Sequence, residues 1–140
     1  MAKSFASQVG DFVAKSDARM TAVFRQSAQD VIEEAQTDYT KGGNLPKDTG
    51  FLQSTGDAAL NRIPSGPTVA PEGVESFTWD ADAALVVIAQ AQLGDTIFFG
   101  WSAEYSEYME SRFGFMRLAA QNWQQIVRKN AQRLERSVRR

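Results

Sequence analysis

The triplet Asp48-Thr49-Gly50 is one place in this sequence where the residue types could do chemistry. The same triplet carries the catalytic carboxylate of aspartic proteases, in which two aspartates share one proton, and this chain would need a homodimer to supply the second. That chemistry belongs to an all-β fold with an apolar strand before the triplet. Here residues 44–47 precede it and helical patterns dominate the chain. We therefore interpret Asp48 or Thr49 as the cap of a short helical turn, Gly50 to Thr55.

A second candidate is the row of carboxylates Glu104, Glu107 and Glu110, which are three residues apart. Such a row on a short helix could hold a hard metal ion or serve general acid–base catalysis. No histidine and no second acidic cluster completes a site of either kind, so an exposed acidic face is the better interpretation. The glycines form no phosphate-binding loop. We therefore predict no catalytic, cofactor-binding or metal-binding residue and no enzymatic activity.

The chain contains neither cysteine nor histidine. These absences exclude disulfides, thiolate metal sites and catalysis by Ser–His or Cys–His pairs. A hydrophobic fraction of 43% over 140 residues predicts one globular domain, 1–140. The sequence shows no signal-like N-terminal segment and no apolar run near the roughly 18 residues of a membrane span. We expect no membrane partner and a location in a cytoplasm, or in a particle assembled there.

The charges are segregated along the chain although the net charge is only −2. Eight acidic and no basic residues lie between Glu72 and Glu110, whereas eight basic residues and one acid, Glu135, lie from Arg112 onward. Each part could simply be a solvated surface. Alternatively, the basic end of one copy, with Arg133, Arg136 and Arg139, could meet the acidic belt of the next copy. Direct nucleic-acid contact is disfavoured, because the basic tail lacks interleaved aromatics and the whole chain is acidic.

Two long amphipathic helices frame the predicted domain. Apolar residues recur in steps of three and four over 4–39, with Ser4 as the N-cap and a glycine-rich stop after Lys41. A helix this long must pack on the rest of the domain or on a neighbouring subunit. After a break at Gly114, a second apolar stripe predicts a helix over 115–138 that ends in basic residues.

A small sheet is predicted between the long helices. Residues 57–63 give a weak extended signal, and 74–79 alternate apolar and polar residues as a strand does. Residues 96–101 predict another strand, with Phe98 on the face opposite to the other aromatics. The expected fold class is α+β, with two long helices plus short helices packed on a small antiparallel sheet.

The segment 80–93 is ambiguous between a buried strand and a helix. Asp80 as an N-cap, frequent alanine and a terminal Leu-Gly favour the helix. The loops at 41–48 and 64–73 are rich in turn residues, and we expect them to be mobile and to order on docking.

Aromatic side chains are frequent between Phe98 and Trp123. A short helix over 103–110 should place Tyr105, Tyr108 and Met109 on its inner side. Core packing explains most of these aromatics. Phe98 and one or both tyrosines are candidates for interface anchors, because aromatic residues are enriched at protein interfaces.

Two motifs together suggest a family. Residues 45–54, LPKDTGFLQS, resemble the signature P-x-D-T-G-x-L-x-x-S. Residues 94–110, GDTIFFGWSAEYSEYME, followed by 114–123, GFMRLAAQNW, resemble Y-A-x-Y-x-E…G-F-x-R-x-A. Their order and spacing, with a long helix before and after, are similar to those of tail-completion (minor tail component) proteins. Such proteins belong to long-tailed bacteriophages, prophages and gene transfer agents.

The resemblance implies an α+β subunit with a small sheet flanked by helices. It implies a non-enzymatic virion protein that forms a ring, commonly of six copies, between the tail tube and the head connector. The implied partners are other copies of the chain, a tail tube or tail terminator protein, and a head connector or stopper protein. One departure is that a glycine-rich basic insertion common in relatives is replaced here by Ser111-Arg112-Phe113.

Two alternatives stay open at this point. One is a tail terminator or head-closure ring protein, and the other is a non-viral helical interaction or regulatory module. The candidate interface positions, from the resemblance, the aromatics and the basic tail, are Asp48, Thr49, Gly50, Leu52, Phe98, Tyr105, Tyr108, Glu110, Arg117, Arg133, Arg136 and Arg139.

Overall fold

The computed structural model describes residues 4–138, and over this range it has the predicted α+β architecture. Six α-helices accompany one two-stranded antiparallel sheet within the described residues. The elements in chain order are α1 (Phe5–Ala35), α2 (Phe51–Ser54), β1 (Gly56–Leu60), α3 (Ala81–Gln90), β2 (Ile97–Trp101), α4 (Ser106–Phe113), α5 (Phe115–Gln121) and α6 (Trp123–Val138).

Helix α1 begins as predicted and ends four residues earlier than predicted. The Ser4 hydroxyl accepts a hydrogen bond from the N–H of Ser7 at 3.2 Å, which confirms the N-cap. The predicted end at residue 39 is wrong, because Asp38 leaves the helix to form a parallel bridge with Leu45. The Asp38 side chain then caps a short 3-10 turn, Tyr39–Lys41.

Helix α6 runs antiparallel to α1. The Asn122 amide donates to Glu34 Oε1 at 2.5 Å, and the Asn130 amide donates to Ser27 Oγ at 3.1 Å and Asp30 Oδ2 at 2.9 Å. Because the two helices run in opposite directions, the C-terminal end of α6 lies beside Met20 of α1. Residues 5–19 of α1 therefore extend about 22 Å beyond α6.

The predicted continuous helix 115–138 is wrong in one respect, since it is interrupted at Asn122. The chain forms α5 and then α6, with Asn122 between them at φ −90° and ψ 3°. The break allows α5 to bury Phe115 and Ala119 while α6 follows α1. The Asn122 side chain, which bonds to α1, holds the break in place.

The sheet pairs two strands that are distant in sequence. Strands β1 and β2 are antiparallel, and Gly56 lies opposite Trp101. This confirms the strand at 96–101, and the weak signal at 57–63 corresponds to β1. Strand β1 ends before Asn61, whose φ of 59° breaks the extended backbone.

The strand predicted at 74–79 is wrong, because this segment has no regular structure. Its alternation instead reflects two anchoring side chains. Phe77 packs against Phe51 with ring centroids 5.1 Å apart, and Trp79 Nε1 donates to the Gly56 carbonyl at 3.0 Å.

Helices α3 and α4 were both predicted as helices, but their ends differ from the predicted ends. Helix α3 confirms the helical interpretation of 80–93, and the Asp80 carboxylate caps it through the N–H of Ala83 at 3.1 Å. It stops at Gln90, and Gly94 lies in the turn that follows. Helix α4 begins and ends three residues later than 103–110, and Gly114 terminates it in a left-handed conformation at φ 65°.

The core consists of two clusters joined by a row of aromatic rings. One cluster contains Leu45, Phe51, Leu52, Ala103 and Phe115, and the other contains Ala28, Ile32 and Ile88. The aromatic row is Trp79, Phe99, Trp101 and Phe115, with successive centroids 6.2, 5.2 and 4.8 Å apart. The rings meet edge to face, the favoured geometry for aromatic pairs.

A buried amide ties the end of α1 to this core. Gln36 is buried, and its Oε1 accepts from Trp101 Nε1 at 2.8 Å. Gln36 and Gln53 also exchange hydrogen bonds, each side chain donating to the other's backbone carbonyl at 2.9 and 2.7 Å. These bonds satisfy the buried polar groups and fix α1 relative to α2 and β2.

We expect Phe115→Ala to lower the free energy of unfolding by about 3–5 kcal/mol, because it leaves a cavity beside Trp101. The neighbouring Met116→Ala is the control, since Met116 is 47% exposed and its loss should change stability by about 0.5 kcal/mol or less. Urea unfolding followed by tryptophan fluorescence measures both. Equal effects of the two substitutions would contradict the described core.

Candidate functional site

The Asp48-Thr49-Gly50 triplet leads into α2 as predicted, but the N-cap is Gly50 rather than Asp48 or Thr49, and the helix is one residue shorter at each end than the predicted turn 50–55. The Thr49 hydroxyl accepts from the N–H of Phe51 at 3.3 Å, and the Thr49 carbonyl accepts from the N–H of Phe77 at 2.9 Å. Gly50 has φ 89°, and a Cβ there would lie 2.5 Å from the Phe77 carbonyl oxygen. The triplet therefore holds the irregular 74–79 segment against the body.

The loop that leads into the triplet has a hydrogen-bonded framework. Buried Asp38 accepts from the hydroxyl of Thr40 and from its N–H at 2.9 Å, and Lys47 Nζ lies 3.6 Å away. The Thr40 hydroxyl holds the pKa of Asp38 below its usual range, and burial opposes this shift. The backbone N–H groups of Lys41 and Gly43 donate to the Asp38 carbonyl. The mobility expected for 41–48 and 64–73 stays a prediction.

Glu110 has a role inside the subunit. Its two carboxylate oxygens accept from the N–H groups of Met116 at 2.7 Å and Arg117 at 2.9 Å, at the start of α5. A carboxylate there satisfies free helix donors and complements the helix dipole. Sequence reasoning missed this role, although an acid four residues before Gly114 was a usable signal. The Arg117 side chain is exposed.

The two tyrosines of α4 differ in their surroundings. The Tyr105 ring lies 6.5 Å from Phe51, and burial raises the pKa of its hydroxyl. The prediction that Tyr108 faces inward is wrong, because Tyr108 is 57% exposed. Met109 packs against the core as predicted.

Tyr108 belongs to an exposed cluster with Arg112 and Phe113. Arg112 Nη1 donates to the Tyr108 hydroxyl at 3.0 Å, and its guanidinium lies 5.8 Å from the centroids of both rings. Arginine and tyrosine are enriched at interface hot spots. This Arg112 cluster occupies the place where the resemblance leads one to expect a basic insertion, and the sequence analysis did not identify it.

Several other predicted interface residues are placed by the fold. Leu52 is buried in the core, which leaves it no surface for a partner. Phe98 is half-buried and lies opposite Ala59 in the sheet. Arg133 and Arg136 are exposed on α6, and Arg139 lies outside the described residues. The exposed Arg133 and Arg136, and the exposed Glu104 and Glu107, leave both a basic and an acidic surface accessible.

A large apolar surface along α1 has no cover from the other residues that the structure describes, 4–138. Phe5 is 82% exposed and Phe12 is 71% exposed, and Val9, Val13 and Met20 are exposed beside them. Their spacing of three, four and seven residues puts all five on one side of the helix. We call these five residues the apolar stripe. The periodicity of these residues is visible in the sequence, but the point along α1 at which other elements stop covering them is not.

The apolar stripe leads into an open groove of about 700 Å³ between α1 and α6. We call this cavity the α1–α6 groove. Its apolar lining residues are Met20, Val23, Phe24, Leu93, Trp123, Val127, Ala131, Leu134 and Val138. Two charged residues, Arg19 and Glu135, complete the lining. A cavity with such walls can take apolar side chains.

The total exposed surface is large for a single copy. The chain has 9586 Å² of accessible surface. A compact monomer of 15.5 kDa exposes about 7,200 Å². The excess of roughly 2,400 Å² is larger than the 800 Å² or so that one partner contributes to a standard protein interface.

Residues 4–138 contain no group of three or more acidic side chains arranged to hold a metal ion. Over the same residues, no helix has both the length and the apolar character that crossing a membrane requires. No family model, curated protein or solved structure matches the chain.

We expect Glu110→Ala to lower the free energy of unfolding by about 1 kcal/mol, because two N–H groups of α5 lose their acceptor. Glu107→Ala removes the same charge from the same helix and is the matched control. Urea unfolding at neutral pH compares them. If Glu107→Ala destabilises as much, Glu110 acts only through its charge and the capping role is refuted.

Proposed function

We propose that this protein is a structural virion subunit that forms a ring at the head–tail junction, completes the tail and joins it to the head connector. The observation that carries the proposal is the apolar stripe and the adjoining α1–α6 groove, which one copy leaves uncovered. Contiguous exposed apolar surface of this extent is typical of an interaction site. An assembly of several copies gives it a cover.

The placement of the two motifs supports the proposal. Leu45, Phe51 and Leu52 from the first motif share one core cluster with Ala103 and Phe115 from the second. The motifs therefore describe the core of one subunit, and the α+β architecture around it agrees with the subunit that the resemblance implies. A family signature that encodes the core leaves the interfaces to other parts of the chain.

The ring form is supported by the amount and distribution of uncovered surface. A ring subunit needs two different faces, one for each neighbour. The excess surface of roughly 2,400 Å² is enough for two faces of standard size. The Arg112 cluster, on α4, provides a further exposed patch for a tail or connector partner. Six copies is the number that the resemblance implies.

The proposed partners are other copies of this chain, a tail tube or tail terminator protein on one side, and a head connector or stopper protein on the other. The location is the virion tail at its junction with the head, after assembly in the host cytoplasm. Charge supports the contacts between copies, because basic α6 and the acidic residues Glu104 and Glu107 are both exposed.

The test is electron microscopy of particles from a producing strain that lacks this gene. We expect filled heads beside separate tails, and restoration of joined particles when the wild-type gene is supplied. Intact, infectious or gene-transferring particles from the deletion strain would overturn the proposal and favour a regulatory module. Particles with aberrant tail lengths or leaking heads would favour a terminator or a stopper.

The same strain tests charge complementarity. Supplying Arg133→Glu, Arg136→Glu and Arg139→Glu together should reduce the yield of joined particles, because acidic faces would then meet acidic faces. The control reverses exposed cations outside the proposed contacts, Lys41 and Arg62. An undiminished yield with the arginine variant would remove charge complementarity from the account.

A further inference from the structure

We propose that the apolar stripe of one copy packs into the α1–α6 groove of the next copy, head to tail around the ring. This contact rests on the proposed ring and specifies its subunit interface. The occupant of the groove is thus a second copy of this chain, and the part that enters is the projecting first half of α1.

The projecting part of α1 needs a packing partner. Every residue from 5 to 19 except Ser16 is exposed. Isolated helices of about 12–15 residues are marginal in water, since tertiary packing supplies most helical stability. An amphipathic helix with an unpaired apolar side obtains that packing from another helix surface.

The α1–α6 groove provides a surface of the required kind. Its walls are two antiparallel helices, and its lining is almost entirely apolar, with Trp123 exposed near one end and Val138 exposed at the other. A helix laid between two others buries one side, which matches the single stripe on α1. The residues Phe5 to Val13 span about 12 Å of helix, shorter than the roughly 24 Å of α6.

The same chain cannot fill its own groove. Val13 lies ten residues before Val23, which lines the groove, so the two are about 15 Å apart along one straight helix. The stripe must therefore enter the groove of another molecule. Met20 lies where stripe and groove adjoin, but Phe5, Val9, Phe12 and Val13 are not part of the groove. Pairing of these four residues with the groove is therefore heterologous and closes into a ring when the rotation allows.

The area involved suits a stable subunit contact. Phe5 and Phe12 would bury about 300–500 Å² between them. The valines beside them add to the area that the stripe contributes, and the groove walls of the neighbour contribute the other partner's share of the interface. Each subunit presents its apolar stripe to one neighbour and its α1–α6 groove to the other. These two faces account for most of the excess surface.

The absence of cysteine from the chain makes a direct test possible. Single cysteines replace Val9 or Val13 in the stripe, and each is combined with a cysteine at Val127 or Leu134 in the groove. Disulfides need Cα atoms within about 7 Å, so a stripe–groove bond can form only between two chains. The purified full-length variants are concentrated, oxidised under mild conditions and separated by non-reducing electrophoresis.

We expect at least one of the four pairs to give a reducible ladder of dimers, trimers and higher species that ends at a fixed number of copies. The matched control pairs Ala14→Cys, an exposed position about 150° around α1 from the centre of the stripe, with Leu134→Cys, and should remain mainly monomeric. Monomers alone from all four pairs, or equal crosslinking of the control, would overturn the contact. A product that stops at the dimer would also overturn it, because it indicates reciprocal two-fold pairing.

This result is separable from the fate of the proposed function. If the four pairs fail but the deletion strain still yields separate heads and tails, the junction role holds and this contact is wrong. If the ladder forms but the deletion strain makes normal particles, the self-contact holds and the junction role is wrong.

Discussion

The rest of this structure depends on the packing of other elements against the apolar side of one long helix, α1. Helix α1 has 31 residues and is about 46 Å long, whereas the 16 residues of α6 cover about 24 Å of it. Where cover exists, the pairing is specific. Asn130 donates to Ser27 and Asp30 from a buried position, which sets the register of the two helices. Where this cover ends, the apolar stripe begins, and no other part of residues 4–138 covers it.

The positions that carry the family resemblance serve the interior of the subunit. Leu52 and Phe115 share a core cluster, Gly50 permits the turn that leads into α2, and Glu110 satisfies the first donors of α5. Selection for a stable subunit would retain such residues whatever the subunit binds. Of the surfaces proposed for assembly, the apolar stripe lies outside the two motifs, whereas Tyr108 of the Arg112 cluster and Trp123 of the α1–α6 groove lie within the second. The motifs therefore contribute mostly to the interior of the subunit.

The predictions that succeeded relied on strong local signals, and those that failed depended on tertiary contacts. Periodicity and capping residues identified α1 and α3, because Ser4 and Asp80 act within their own helices. The end of α1, the break at Asn122 and the irregular 74–79 segment are set by distant partners, which no local pattern reveals. Tyr108 is exposed although the adjacent Met109 packs against the core, because distant elements decide which side of this short helix is covered. The extent of the uncovered apolar surface depends on the relative lengths of α1 and α6, and these lengths were known only from the structure.

The most direct test of the central claim is amide hydrogen exchange of the full-length protein, measured by mass spectrometry over a range of protein concentrations. The account predicts that residues 5–19 exchange rapidly in dilute solution and become protected as concentration rises, because other copies then cover the apolar stripe. Residues 28–36, which are packed against the core, should be protected at every concentration. Rapid exchange of 5–19 that does not change with concentration would contradict the account, and so would protection of these residues that is already complete in the monomer.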